Sequence, residues 1–202
     1  MSDEQANPSA RRRSGEVERL RELERPNEGP VLELIDAHTL GLPDEAALRE
    51  HARRVCSQTD ANHTCRSYSY PLALIATHTN RVGCDIERVA PCDEAFADSI
   101  RTPAERVAAG ACRDDGGLDP MGRYPNPTGE MAATAELDRR ITSLWSSKEA
   151  LAKALGNALD YDPRRLQGPG SWPDGRSGPW RTREIELPDG YVGWVCWCVT
   201  ES

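Results

Sequence analysis

Residues 145–156 read Trp145-Ser-Ser-Lys148-Glu149-Ala-Leu-Ala-Lys153-Ala-Leu-Gly156, a pattern that predicts a helix ending near its glycine. Helical spacing places a stripe of leucines on one side, which we expect to face a core: Leu144, Leu151, Leu155 and Leu159. Glu149 and Lys153 are four residues apart and share a second face. Lys148 falls on the leucine stripe, so we expect it to be partly buried and paired with a carboxylate. Taken alone, the pattern is also typical of a surface helix with one Glu–Lys pair.

The composition excludes several classes of protein. The chain has 202 residues, enough for one large domain or two small ones. Its formal net charge of −8 argues against nucleic acid as the main partner. No apolar run is long enough to span a membrane, and the polar N-terminus lacks the hydrophobic region of a signal peptide. We therefore expect a cytoplasmic protein without membrane contact. The seven cysteines form no regular framework, which favours reduced thiols over disulfides.

The first part of the chain alternates short apolar runs with turn residues. Residues 1–30 contain almost no apolar side chains and predict a disordered or loosely helical arm. The elements predicted after this arm are a strand at 31–35, a helix from 43 to about 55, a polar stretch at 57–66, and strands at 72–77 and 82–87 joined by a hairpin turn at 78–81. Residues 31–88 form the expected N-terminal half.

The second part, residues 89–202, is the expected C-terminal half. Its predicted elements are a helix at 94–109, a long loop at 110–135, a helix at 136–159, a Gly/Pro/Trp-rich connection at 162–180, and strands at 183–187 and 191–199 separated by a turn at 188–190. The last strand is apolar on both faces, which predicts a central position in a sheet. The fold class is therefore α/β in the α+β sense, with two related halves, each a helix packed on antiparallel strands.

Two carboxylates, Asp85 and Glu87, are two positions apart on the predicted strand, so both side chains leave the same face. Adjacent carboxylates repel each other and are costly to bury unless a cation lies between them. Mg²⁺ prefers a few hard oxygen ligands and completes its shell with water and substrate phosphate. Glu149 is a candidate third ligand, and Lys153 is a candidate for neutralising phosphate charge. From spacing alone, an exposed and solvated strand face explains Asp85 and Glu87 equally well.

The two motifs together resemble the paired signature of the 4′-phosphopantetheinyl transferase superfamily, which reads G-x-D-x-E and then W-x-x-K-E-A-x-x-K. Here the first motif is Gly83-Cys-Asp85-Ile-Glu87, and the second begins at Trp145. Phe96 and Glu105 lie where the family places a phenylalanine and a glutamate between the motifs. The resemblance covers about residues 67–199. It is closest to the surfactin-activating type, a monomer of two pseudo-symmetric α/β halves.

This resemblance implies Mg²⁺-dependent transfer of the 4′-phosphopantetheine group from coenzyme A to a serine of an acyl or peptidyl carrier protein, in secondary metabolism. By matching positions, Asp85, Glu87 and Glu149 would hold Mg²⁺ on the pyrophosphate. Glu149 would also act as general base, directly or through water, and Lys153 would stabilise the developing phosphate charge. Trp145 and Lys148 would have supporting roles.

The region expected to grip coenzyme A departs from the family pattern. The family's S-x-S-H element reads Ser67-Tyr68-Ser69-Tyr70, so Tyr70 replaces a histidine that contacts the 3′-phosphate. Ser69, Tyr70 and Lys153 are therefore the expected cofactor-binding residues. The family's G-K-P element is not found, and only a short polar stretch precedes Ser69, so the N-terminal half looks trimmed. Trimming would expose apolar surface, which leaves both a monomer and a dimer open.

Two other functions stay open from the sequence. A family relative that acts on a different small biosynthetic intermediate would keep the carboxylates and lose the nucleotide contacts. A carrier-binding scaffold would keep the fold without turnover. A transferase can be distinguished from both, because magnesium with coenzyme A should raise its melting temperature.

Overall fold

Two antiparallel sheets, each covered by a helix, make up the fold. The computed structural model describes residues 29–111, 127–158 and 160–199. The strands within these ranges are β1 (Val31–Asp36), β2 (His63–Ser69), β3 (Leu72–His78), β4 (Val82–Arg88), β5 (Arg176–Ser177), β6 (Trp180–Glu184) and β7 (Tyr191–Cys198). The helices are α1 (Ala37–Leu40), α2 (Glu45–Ser57), α3 (Glu94–Ile100), α4 (Pro103–Ala111) and α5 (Pro127–Leu155), with 3₁₀ turns at Pro163–Arg165, Pro169–Ser171 and Pro173–Gly175. None of the helices in these ranges is both long and apolar enough to cross a membrane.

The elements stack in four layers. One sheet has the order β1-β3-β2, and the other has the order β4-β7-β6-β5. α2 covers the outer face of the first sheet, where Leu48 packs in one cluster with Ala73. α5 covers the outer face of the second sheet, where Ala150 packs with Cys196. Each sheet therefore buries one face under its own helix and the other face against its partner sheet.

A shared core joins the inner faces of the two sheets. Alternate residues of a strand point to the same face, so every second residue of β3 and β4 contributes to it. The buried members of this core are Leu32, Leu34, Leu72, Leu74, Ala76, Val82, Cys84, Ile86, Ile185 and Val195. Burying a Val, Leu or Ile side chain contributes about 1.5–3 kcal/mol, so this layer is a main source of stability.

The fold class expected from the sequence is confirmed. Strands occur where 31–35, 72–77 and 82–87 predict them. The first long helix begins after Asp44, whose side chain accepts a hydrogen bond from the backbone N–H of Ala47 at 2.8 Å. The last strand, β7, lies between β4 and β6, as its two apolar faces predict.

The hairpin expected at 78–81 is wrong. β3 and β4 lie in different sheets, because β1 and β2 already occupy both edges of β3. The link at 78–81 therefore carries the chain from one sheet to the other, where β4 pairs with β7. β4 therefore belongs to the second sheet, although the predicted N-terminal half extends to residue 88 and includes it. The division of the chain into halves at residues 88 and 89 stays a prediction.

The polar stretch expected at 57–66 contains the start of β2 at His63, a strand that the sequence does not predict. β2 is an edge strand that pairs only with β3 in its sheet. Its side chains alternate in burial, with Arg66 exposed and Ser67 buried. Because the inward-facing side chains of β2, such as Cys65 and Ser67, are small or polar, hydrophobic periodicity does not reveal this strand.

The single helix expected at 94–109 is wrong, because the chain forms α3 and α4 with a break at Arg101 and Thr102. Proline disfavours the helical conformation of the residue before it, which here is Thr102. Thr102 and Glu105 then form a capping box. The Thr102 N–H donates to Glu105 Oε2 at 2.8 Å, and the Glu105 N–H donates to Thr102 Oγ1 at 3.2 Å.

The long helix α5 begins at Pro127 rather than at 136 and ends at Leu155 rather than at 159. Gly156 follows with a φ of +84°, which confirms the predicted end at this glycine. The loop expected at 110–135 is therefore wrong at both ends, because α4 reaches Ala111 and residues 127–135 are helical. Residues 112–126, Leu159 and residues 1–28 of the expected arm lie outside the described residues.

The strand expected at 183–187 lies earlier, as β6. The connection expected at 162–180 contains the 3₁₀ turns, the short strand β5 and the first residue of β6. β6 pairs with β7 from Trp180↔Cys198 to Glu184↔Trp194. This pairing places β6 on the far side of β7 from β4, so β7 is covered on both edges.

Candidate active site

The strand β4 presents different side chains to its two faces. Cys84 and Ile86 are fully buried in the core between the sheets. Gly83 and Asp85 face α5 instead. A Cβ atom added to Gly83 would collide with the backbone of Ala150, so only glycine permits this close approach of helix and strand. The acidic side chains of β4 are therefore within reach of side chains from α5.

Asp85 is 2% exposed and accepts two hydrogen bonds through one oxygen. Lys153 Nζ donates to Asp85 Oδ1 at 2.6 Å, and Ser67 Oγ donates to the same atom at 2.8 Å. Lys153 Nζ also lies 3.3 Å from Ser67 Oγ. The second oxygen, Asp85 Oδ2, is buried and has no hydrogen-bond partner among the described residues. Such an atom is costly to leave unpaired, so it marks a position that a donor or a cation suits.

Glu87 holds a proton more tightly than an ordinary glutamate. Burial and the charge of Asp85 raise the pKa of Glu87 to about 7. Trp145 Nε1 donates a hydrogen bond to Glu87 Oε1 at 3.2 Å, and this bond lowers the pKa of Glu87 by less than burial and Asp85 raise it. The Trp145 ring in turn contacts Phe96, with ring centroids 5.9 Å apart. Glu87 therefore changes its charge near neutral pH.

Glu149 faces the same site from α5. Tyr161 OH donates to Glu149 Oε1 at 2.7 Å. Burial and the charge of Asp85 raise the pKa of Glu149, and they outweigh the lowering by the Tyr161 hydrogen bond and by Lys153. Burial and the adjacent Glu149 raise the pKa of Tyr161 as well, so its phenol stays protonated and acts as the donor.

Lys153 is the cation that faces these carboxylates. Burial alone would lower the pKa of Lys153, but the charge and hydrogen bond of Asp85 raise it above the ordinary lysine value. The ammonium group is therefore charged at neutral pH. Its side chain is 21% exposed, whereas that of Asp85 is 3% exposed, so Lys153 is the more accessible member of the pair.

Lys148 is fully buried and has a separate set of partners. Lys148 Nζ donates to Glu105 Oε2 at 2.6 Å, to the carbonyl of Ile100 and to the carbonyl of Pro163 at 2.9 Å. The predicted pairing with a carboxylate is confirmed, although the burial is complete rather than partial. Glu105 Oε1 also accepts from the backbone N–H of Gly168 at 2.7 Å. This ion pair therefore fastens the chain after α5 to α3 and α4.

A family model described as the 4′-phosphopantetheinyl transferase superfamily matches residues 81–171. Over this range the chain is similar to this superfamily. The matched range includes β4 and α5, and with them Asp85, Glu87, Glu149 and Lys153. No curated protein matches the chain. The similarity indicates a transferase of the phosphopantetheinyl type, and this family uses coenzyme A as substrate.

Four of the predicted site residues lie near one another: Asp85, Glu87, Glu149 and Lys153. The metal assignment stays a prediction. Among residues 29–111, 127–158 and 160–199, no group of three or more His, Cys, Asp or Glu side chains is gathered to hold a metal ion. Each carboxylate instead accepts from its own donor. The residues nevertheless fit a divalent cation in their chemistry, because they supply hard oxygen atoms and Asp85 Oδ2 is buried without a partner.

Tyr70, a predicted cofactor-binding residue, packs against His38 and Tyr191. Its ring meets that of His38 edge-on, with centroids 5.8 Å apart, and its carbonyl accepts from Tyr191 OH at 3.5 Å. Tyr70 thus packs with the cluster beneath α2. Ser69 ends β2, where it pairs with Leu72. The contacts of Ser69 and Tyr70 with coenzyme A stay a prediction.

Sequence reasoning missed two residues of this site, Ser67 and Tyr161. Ser67 belongs to the same motif as Ser69, and period-2 alternation on a strand would have put both on one face. Because the residues around this motif are polar, the hydrophobic pattern predicts no strand here. Tyr161 carries no sequence signal, because its position depends on how the chain reverses after α5.

Proposed function

We propose that the protein transfers the 4′-phosphopantetheine group from coenzyme A to a serine of an acyl or peptidyl carrier protein, with Mg²⁺ as cofactor. The observation that carries the proposal is the contact of Lys153 with Asp85 where β4 packs on α5, with Glu87 and Glu149 near enough for the charge of Asp85 to raise the pKa of both. We place this activity in the cytoplasm and in secondary metabolism, as a protein that acts as a monomer or a dimer.

Asp85, Glu87 and Glu149 would hold the metal ion in this proposal. A bound Mg²⁺ supplies charge neutralisation and orientation of phosphate oxygens. Its binding would also offset two costs within the site. It would give Asp85 Oδ2 a partner, and it would relieve the repulsion that raises the pKa of Glu87 to about 7.

Glu149 is the proposed proton acceptor. Its raised pKa makes it a better base than an ordinary carboxylate at neutral pH. It would take the proton of the carrier serine, directly or through water, while the serine oxygen forms a bond to the phosphorus that carries pantetheine. The bond from that phosphorus to the bridging oxygen of the pyrophosphate breaks, and 3′,5′-adenosine bisphosphate leaves.

Lys153 is the proposed partner of the developing negative charge. Its ammonium group is charged and partly exposed, and the charge of Asp85 holds it at the site. Ser69 and Tyr70 would contact coenzyme A farther along the first sheet. Tyr70 would do so as a hydrogen-bond donor, since a phenol carries no positive charge.

The direct test is a mass gain on apo carrier proteins incubated with the protein, Mg²⁺ and coenzyme A. We expect Glu149→Gln to abolish transfer without unfolding the protein, because it removes the base and one ligand while keeping the shape. Glu136→Gln is the matched control, since Glu136 is an exposed glutamate on the same helix. Full activity of Glu149→Gln would remove Glu149 from this role.

A relative that acts on another small biosynthetic intermediate is the second candidate function. The position of Tyr70 against His38, where the family has a histidine for the 3′-phosphate, favours it. Thermal shift distinguishes the two functions. Mg²⁺ with coenzyme A should raise the melting temperature of a phosphopantetheinyl transferase. No shift with coenzyme A and no mass gain on any apo carrier protein would contradict the transferase and leave the second candidate or a scaffold.

A further inference from the structure

Tyr161 reaches Glu149 because the chain reverses its direction at the end of α5. Gly156 adopts a φ of +84°, which closes the helix. The backbone N–H groups of Gly156 and Asn157 donate to carbonyls of the last helical turn at 3.1 and 2.9 Å. This is the Schellman pattern of helix termination. The residues that follow can therefore lie beside the helix that they have just left.

The segment around Tyr161 is fastened on its C-terminal side. The carbonyl of Pro163 accepts from the buried ammonium of Lys148 at 2.9 Å. Asp162 caps the 3₁₀ turn that follows, because its Oδ1 accepts from the backbone N–H of Arg164 at 3.0 Å. Tyr161 lies between this anchor and the helix terminus, so its phenol is held at Glu149 by the backbone as well as by its own hydrogen bond.

We propose that Tyr161 is a positioning residue for Glu149. Tyr161 OH donates to Glu149 Oε1 at 2.7 Å, a short distance that is typical of a hydroxyl bonded to a charged acceptor. Holding one oxygen fixes the rotation of the carboxylate about its last torsion. The other oxygen, Oε2, is then directed to the reacting groups. This role rests on the proposed function of Glu149, and it belongs to a residue that lies within the matched family range but outside both sequence motifs.

Tyr161→Phe removes the hydroxyl and keeps the ring. A partner that orients a catalytic or metal-binding side chain contributes roughly 10–100-fold to activity, so we expect kcat to fall by roughly that factor. The KM for coenzyme A should stay within about twofold, because the change concerns orientation rather than substrate binding. Tyr191→Phe is the matched control, since its hydroxyl contacts only a backbone carbonyl at 3.5 Å among the hydrogen bonds described for it. We expect wild-type kinetics from that control.

Infrared spectroscopy provides a readout that does not depend on activity. The difference between wild-type and Glu149→Gln spectra assigns the carboxylate band of Glu149. Tyr161→Phe should move that band, whereas Tyr191→Phe should leave it in place. An unmoved band, or a kcat equal to that of the wild type, would overturn the role of Tyr161. If the wild-type protein modified no apo carrier protein, the proposed function would fail on its own, and the band would still decide whether Tyr161 holds Glu149.

Discussion

At the scale of residues, the proton on Glu87 competes with the metal ion that the site is proposed to bind. Its pKa is raised to about 7, first by burial and then by the charge of Asp85. A carboxylate must be ionised to act as a ligand, so metal affinity rises as pH increases through that value. From pH 6 to pH 8 the ionised fraction of a group with a pKa near 7 rises about tenfold. We therefore expect the apparent Kd for Mg²⁺ to fall by about tenfold over this range.

Isothermal titration calorimetry with MgCl₂ at both pH values checks this prediction. The raised pKa of Glu149 acts in the same direction, so the two glutamates reinforce each other. Glu87→Gln removes the competing proton, and the remaining pH dependence should be smaller than in the wild type. An apparent Kd that is equal at pH 6 and pH 8 would show that Glu87 is not a ligand, or that its proton is not held as tightly as the site indicates.

The roles of several single residues could be predicted from the sequence, because each role is determined by neighbouring residues in the chain. Gly156 closes a helix, and its positive φ shows why glycine stands there. The pairing of Lys148 with a carboxylate followed from its place on an apolar stripe, because a buried ammonium needs a partner. The contact partners of Ser67 and Tyr161 could not be assigned in this way. Ser67 joins β2 to β4, and Tyr161 joins the segment after α5 to that helix. Both contacts depend on tertiary packing rather than on local sequence.

At the scale of elements, the Lys148–Glu105 pair decides how α5 is tied to its neighbours. The side chains of Lys148 and Glu105 are 0% and 12% exposed, and their charged atoms lie 2.6 Å apart. Breaking a buried ion pair costs about 3–5 kcal/mol, because the remaining charge is left without its partner. We expect Lys148→Met to lower the free energy of unfolding by that amount, measured by urea denaturation. It should also reduce transfer, because the carbonyl of Pro163 loses the donor that anchors the segment with Tyr161.

The exposed pair of Arg49 and Glu45 provides the control for this prediction. Its charged atoms also lie 2.6 Å apart, but the side chains are 44% and 52% exposed. Exposed pairs contribute about 0–1 kcal/mol, so Glu45→Gln, which keeps Arg49 over the ring of Tyr68, should change the free energy of unfolding by less than about 1 kcal/mol. If both variants were destabilised equally, burial would not be what makes the Lys148–Glu105 pair important.

Elements with a strong hydrophobic period could be predicted, whereas those defined by polar contacts could not. β3 is buried along most of its length and β7 has no exposed residue, and their apolar runs identify them. β2 lacks such a run, because its inward residues are small or polar and one of them, Ser67, contacts Asp85. The break between α3 and α4 was also missed, although Thr102 and Glu105 have the spacing of a capping box. Pairing of strands needs more than local pattern, which is why the link between β3 and β4 was mistaken for a hairpin.

At the scale of the whole molecule, the site lies where the edge strands of the two sheets meet. β2 is the edge of the first sheet and β4 is the edge of the second. Ser67 of β2 donates to Asp85 of β4, and the N–H of Cys84 donates to Cys65 Sγ at 3.2 Å. The two sheets also share one apolar core. Neither sheet can therefore unfold without exposing the inner face of the other and disrupting the carboxylates.

This arrangement predicts that the two halves unfold as one cooperative unit. All five tryptophans lie between Trp145 and Trp197, so their fluorescence reports on α5 and the second sheet. Far-UV circular dichroism reports on the secondary structure of both sheets. In urea, the two probes should give the same midpoint and the same slope, since loss of the shared core exposes both inner faces together. Separate transitions, with tryptophan fluorescence changing alone, would mean that each sheet is stable on its own. Ser67 and Asp85 would then lie across a boundary between independent units, and the geometry of the site would depend on how those units associate rather than on one folded core.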